Sequence, residues 1–281
     1  MADFLSSVSG AVLVAVLSWW LGTGAILWLV RLPARSFGRS MGVLSVLGLL
    51  ATACAAWSMR QTSVGAAYVG FVSVIVVWGW HEMAFLTGWV TGPRRIAQDA
   101  SARGWRRFRL AVLALLHHEL LLLLNLGLLV LLQRGQPNHV ALCTFALLWC
   151  MRVSAKLNLF FGVPQLGEQY LPAHLAYLGS YFRRSSVTAC FYLTISLSAG
   201  TWLWLVLQAQ QHTVSISTGW VLLASLLGLA IVEHVLMVFA LPLQRLWAWA
   251  LRTRGQTPEV TAHASQPAPL SAVLPEPVEQ L

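Results

Sequence analysis

The sequence predicts an all-α, polytopic membrane protein: a bundle of about seven transmembrane helices, N-terminus outside and C-terminus cytoplasmic. Three observations predict it. The chain is 58% hydrophobic and 10% charged with a mean hydropathy of +0.70, whereas a soluble domain carries roughly 25% charged residues. Its apolar residues are gathered into seven runs near the ~20 residues that cross a bilayer. Its arginines alternate between connections, as the positive-inside rule requires.

The runs are Ser9–Val30, Met41–Met59, Val64–Thr87, Leu110–Leu132, His139–Phe161, Val187–Leu207 and Thr218–Leu241. Each is too long for a strand, and helices are the open-chain way to satisfy backbone polar groups in lipid. Arg31, Arg35 and Arg39 follow the first run. Arg94, Arg95, Arg103, Arg106, Arg107 and Arg109 precede the fourth. Arg183 and Arg184 precede the sixth, and Arg245, Arg252 and Arg254 follow the seventh. The opposite side has only Arg60 and Arg134. The basic excess is therefore a topology signal. No basic patch interleaved with aromatics lies on a soluble face, so nucleic acid is not an expected partner.

The 91–109 connection is expected at the lipid headgroups. In the 162–184 connection, Leu171, Leu175, Leu178 and Phe182 fall at helical spacing, which predicts an amphipathic helix on the membrane, with a re-entrant segment as the alternative. Residues 1–254 are read as one transmembrane domain and 255–281 as a disordered Pro/Ala-rich cytoplasmic tail. No cleavable leader is expected, because the first apolar run has no basic segment before it and is long enough to span. Cys54, Cys143, Cys150 and Cys190 all lie in apolar runs without a CxxC pair and read as apolar cysteines.

The polar residues inside the runs carry the functional question. Leu115–Asn125 reads LLHHELLLLLN, placing His117, His118 and Glu119 in a run with no other ionisable residue. An ionisable group at the centre of a membrane helix costs ~3 kcal/mol or more and usually faces a bundle interior or polar cavity. His81–Glu82 and Glu233–His234 form two further pairs in spans, and Glu168 and His174 lie in the 162–184 connection. Arg152 and Lys156, four apart and hence on one helix face, supply cations. Counted along their spans, these groups gather in the cytoplasmic half of the membrane.

Three chemistries suit such a set. A structural salt-bridge cluster would pair Glu82, Glu119 and Glu233 with Arg152 and Lys156. A metal centre, di-iron or another transition metal, would use Glu82, Glu119, Glu233, His81, His118 and His234, although no Glu-x-x-His occurs on one helix. A tetrapyrrole site would use a histidine on magnesium and some of the 14 tryptophans around the ring. The paired interrupted helices of common transporters are not visible.

Several stretches carry a family resemblance: Gly79–Arg95 (GWHEMAFLTGWVTGPRR), Leu115–Asn125, Asn138–Arg184 and the WWLGTG run at Trp19–Gly24. They resemble the photosynthetic complex assembly protein 2 family, the PuhE-like proteins. The resemblance spans the first to the seventh run and excludes the tail. It implies a bacterial protein encoded near reaction-centre genes, acting in the inner or intracytoplasmic membrane as reaction-centre and light-harvesting complexes are made. It carries over no catalytic residues.

The combined expectation is an assembly factor contacting membrane lipids, photosynthetic subunits and pigments. Its buried cluster of His81, Glu82, His117, His118, Glu119, Arg152, Lys156, Glu233 and His234, with Glu168 and His174 from the loop, would hold a bacteriochlorophyll-type pigment, a precursor of it, or a partner helix. The alternatives are a membrane metalloenzyme acting on a lipid-soluble pigment or quinone, and a purely structural cluster.

Overall fold

The structure is a computed structural model that describes residues 2–168, 171–239 and 247–251. It is all-helical. Seven helices are long and apolar enough to cross a membrane: α2 (Val8–Val30), α3 (Phe37–Met59), α4 (Val64–Leu86), α5 (Gly104–Gln133), α6 (Val140–Phe161), α7 (Ala189–Gln211) and α8 (Val214–Val235). Two four-residue helices, α1 (Ala2–Leu5) and α9 (Ala248–Leu251), flank them. The tail expected at 255–281 lies outside the described residues.

Local chemistry sets several helix ends. The Ser7 and Ser63 hydroxyls accept from the Gly10 and Ala66 amides at 3.1 and 3.2 Å, capping α2 and α4. Gly135 and Gly162, at φ +70° and +132°, turn the chain after α5 and α6. Two expected bounds shift. α8 ends at Val235 rather than Leu241, so Glu233 stands within a turn of the helix end. α5 begins six residues early, at Gly104. Its 30 residues reach ~45 Å, against a hydrocarbon core of ~30 Å, so its arginine-bearing start projects beyond the apolar layer.

α4 and α8 form the centre: half of each spanning window is buried, against 11–17% in the other five. Leu222 and Leu226 of α8 pack with Ala67 and Phe71 of α4 and with Ala11 and Ala15 of α2. Phe145 of α6 joins Val74 and Val77 of α4 and Leu122 and Leu129 of α5 in a second core. Small residues bring helices close, as is usual where lipid gives no hydrophobic driving force between them. A Cβ on Gly70 of α4 would stand 2.8 Å from the Ser58 hydroxyl of α3 and 3.4 Å from Ala141 of α6. The outer faces carry exposed apolar residues such as Leu49, Leu124 and Leu197, as a lipid-facing surface does.

The two long connections on the arginine-rich side are not simple surface loops. The first runs back along α5: the His118 amide donates to the Thr91 carbonyl at 2.8 Å and the Arg94 amide to the Leu113 carbonyl at 3.4 Å. His118 lies ~21 Å along the helix from Gly104, so the buried Thr91 and Gly92 sit deep against α5. Only glycine allows this approach, because a Cβ at Gly92 would stand 2.1 Å from the Leu113 carbonyl oxygen. Hydrogen bonds from Ser101, and the Arg106 guanidinium, hold the Asp99 carboxyl of this connection below the usual aspartate range.

The second connection forms a 3₁₀ helix, Ala173–Tyr181, in place of the expected amphipathic α-helix. Its buried residues are Leu175, Leu178 and Tyr181, the i, i+3 spacing that three residues per turn puts on one face. They pack on Phe85 of α4 and Ala114 of α5. The Arg94 guanidinium donates to the Tyr181 hydroxyl at 2.8 Å, the Gln98 amide to the Ser180 hydroxyl at 2.7 Å, and Tyr181 donates to the Ile96 carbonyl at 3.0 Å. The two connections thus close over one another.

Candidate functional site: a polar hub on α6

α6 carries a polar side chain at every second position from 152 to 158, and each binds a different helix. Arg152 pairs with Glu82 of α4, and Lys156 pairs with Glu119 of α5. Ser154 meets the His234 imidazole of α8 at 2.9 Å. The buried Asn158 amide donates to the Thr194 hydroxyl of α7 at 3.0 Å. The geometry follows from the helix. Residues 152 and 156 share one face and 154 and 158 the nearly opposite one, since two residues turn the helix by ~200°. α6 is therefore tied on both sides.

The histidines divide by what they touch. His234 is buried with Nδ1 on the Ala230 carbonyl at 2.8 Å. A carbonyl only accepts, so Nδ1 carries the proton and Nε2 accepts from Ser154. His81 is buried, with Nδ1 donating to the Val77 carbonyl at 2.9 Å and its ring against Trp80 and Phe145. His118 is fully enclosed, its ring 4.6 Å from that of Phe85, and neither ring nitrogen has a hydrogen-bond partner among the described residues. Lys156 and Arg152 lie within electrostatic reach of it. Glu82 Oε1 and Arg152 Nε are likewise buried and unbonded among the described residues.

Four expected members stand apart. His117 is exposed on the outer face of α5, because adjacent helical residues point ~100° apart and His118 takes the inward direction. Glu233 is exposed where α8 meets α2, and its carboxylate accepts from the Trp19 indole at 2.9 Å. Glu168 is exposed, and His174 is exposed with Nε2 on the Leu86 carbonyl at 2.9 Å, so His174 fastens the 3₁₀ segment to the end of α4.

This arrangement does not fit the di-iron or other metal centre of the alternative reading. Among the described residues, no three of the His, Cys, Asp and Glu side chains are grouped to hold an ion. Glu82 and Glu119 are each engaged by a cation, and Glu233 by an indole.

The chain matches the DUF3623 family, described as proteins of unknown function, over residues 5–258. It belongs to this family. An uncharacterized 30.4 kDa protein in the puhA 5′ region of Rhodobacter capsulatus is 41% identical over 256 residues, covering 89% of this chain and 93% of that one. No solved structure matches.

In this DUF3623 chain the hub uses residues that sequence reasoning passed over. Ser154 and Asn158 are small polar residues, ordinary in membrane helices. Their two-residue offset from Arg152 and Lys156 was the available signal. Trp19, which the sequence marks only as part of the WWLGTG run, donates its indole N–H to Glu233. Thr91 offers only a backbone carbonyl, which no sequence pattern marks.

Proposed function

We propose that the chain is an assembly factor for bacterial photosynthetic complexes in the inner or intracytoplasmic membrane, N-terminus outside, and that it meets a chlorin pigment at His117. The observation that carries this is the orientation of His117. Nearby, Glu82 and Glu119 pair with Arg152 and Lys156 and the His118 ring is enclosed in the bundle, whereas this imidazole faces lipid without a hydrogen bond to any described residue. Its neighbours along the same face, Leu120, Leu124, Leu128 and Leu131, are exposed and apolar. A chlorin's magnesium takes one axial nitrogen and otherwise needs an apolar wall, which this face supplies. The gene position of the Rhodobacter capsulatus relative beside puhA, and the resemblance of the Leu115–Asn125 and Asn138–Arg184 stretches, support the photosynthetic setting. The ion pairs then serve to hold α4, α5 and α6 in one arrangement while complex subunits and pigments are brought together.

The test is a gene deletion in a phototrophic host, complemented with wild type, His117→Leu or His118→Leu. Wild type is expected to restore the near-infrared reaction-centre and light-harvesting bands per unit membrane protein. His117→Leu should accumulate normally and restore them poorly. Unchanged bands in the deletion strain would refute the assembly role. Full rescue by His117→Leu would leave that role standing and remove His117 from it.

A further inference from the structure

We propose that Arg103, Arg107 and Arg183, where the start of α5 meets the end of α6, form a phosphate site for the headgroup of an anionic phospholipid. The inference stands on this end of the bundle alone and is independent of the pigment reading.

Arg103 is the N-cap of α5, with extended backbone, and Arg107 lies in the first turn of that helix. Arg107 is fixed: its two Nη atoms donate to the Phe160 carbonyl at 3.1 Å each, and Nη2 also to the Tyr181 carbonyl at 3.0 Å. Its guanidinium lies 4.0 Å over the Phe160 ring. Arg183 is fixed by its backbone, which donates to the Leu159 carbonyl at 2.9 Å and accepts from the Val163 amide at 3.2 Å. Arg103 and Arg183 both stand within electrostatic reach of Arg107. Arg103 spends only Nη1, on the Ala100 and Ala102 carbonyls at 2.6 and 3.1 Å, so the rest of its fork is free to donate.

Three like charges held near one another by these contacts with main-chain groups call for an anion. None of the three is in an ion pair with an acid among the described residues, and the nearby Asp99 is taken by Arg106 at 2.7 Å. Guanidinium forks match phosphate oxygens in geometry as well as charge. The adjoining surface selects a lipid over a free anion or an acidic protein segment. From Phe160, aromatic contacts run through Phe108 to Trp105 at centroid distances of 5.6 and 5.3 Å. Trp105 is 75% exposed and Phe161 is exposed too. Tryptophan at the end of a membrane helix sits at headgroup level, where it offers glycerol and acyl chain an apolar wall beside the cations.

The experiment uses the full chain in detergent micelles. Bound lipid is read by native mass spectrometry, and stabilisation by thermal melting, with added phosphatidylglycerol or phosphatidylcholine. Wild type is expected to retain phosphatidylglycerol preferentially and to melt higher in its presence. Arg103→Gln with Arg183→Gln should weaken this binding roughly 30-fold, given the usual contribution of each basic residue at an anionic surface. Arg183→Gln alone should weaken it to an intermediate degree, which covers a double variant that does not fold. The control, Arg35→Gln with Arg39→Gln, makes the same charge change in another connection and should bind like wild type. Equal loss in the control, no loss in either test variant, or equal binding of phosphatidylcholine would overturn the proposal. So would stabilisation by inorganic phosphate or polyglutamate without any preference for phosphatidylglycerol.

Discussion

Lys156→Leu is expected to destabilise the bundle by roughly 3–5 kcal/mol, the usual consequence of leaving one member of a buried ion pair without its partner. The partner is Glu119, and the two side chains are 21% and 22% exposed. Glu119→Leu should cost a similar amount, since it strands the ammonium instead. Lys156→Leu with Glu119→Leu together should recover most of the loss, because replacing a whole buried pair by packed apolar residues is often close to neutral. Equilibrium unfolding in mixed micelles, run as a double-mutant cycle, measures this. A double variant as unstable as the sum of the singles would show that the two charges are not coupled. The Arg152–Glu82 pair should give a smaller cycle, because the Arg152 side chain is 39% exposed. The two cycles should also be non-additive, since both cations lie one turn apart on α6.

The second large effect is expected at Gly92. A Cβ there would stand 2.1 Å from the Leu113 carbonyl oxygen and 2.5 Å from the Ala114 carbonyl carbon. Both are backbone atoms, so no rotamer change can relieve the contact. Gly92→Val should drive the connection off α5, break the bond from the His118 amide to Thr91, and cost about 3 kcal/mol by overpacking. Gly127→Ala is the control: nothing stands within 4 Å of the added Cβ, and alanine gains up to about 1 kcal/mol over glycine in a helix. Melting temperature and amide exchange at His118 report both changes. Gly92→Val melting with wild type and retaining the His118 protection would contradict the described approach of the connection to α5.

How legible was this in the sequence? The seven spans followed from hydropathy, because lipid exposure leaves each helix apolar nearly all round. That property also hid the packing: an apolar face on α3 and one on α8 look alike, and only the fold makes α4 and α8 central. The ionisable residues were visible as anomalies, and the spacing of Arg152 and Lys156 correctly placed them on one face. Their partners were not legible, since pairing Glu82 with Arg152 and Glu119 with Lys156 depends on how far each helix is shifted along the membrane normal. Reading His117 and His118 as one cluster ignored the ~100° between neighbours on a helix. Glu233 looked central because Thr218–Leu241 was read as one helix, and the earlier end of α8 returns it to the edge. The 3₁₀ segment was misjudged because Leu171, Leu175, Leu178 and Phe182 satisfy an α-helical period, whereas the face that is buried is Leu175, Leu178 and Tyr181 at a spacing of three.

The direct test of the central claim is an absorption spectrum of the full-length chain purified from phototrophically grown cells in mild detergent, wild type beside His117→Leu and His118→Leu. The account predicts chlorin bands that travel with wild type and vanish from a folded His117→Leu. His118→Leu, whose altered ring is enclosed within the bundle, should retain them. Wild type free of pigment, or chlorin bound equally by His117→Leu, would contradict it.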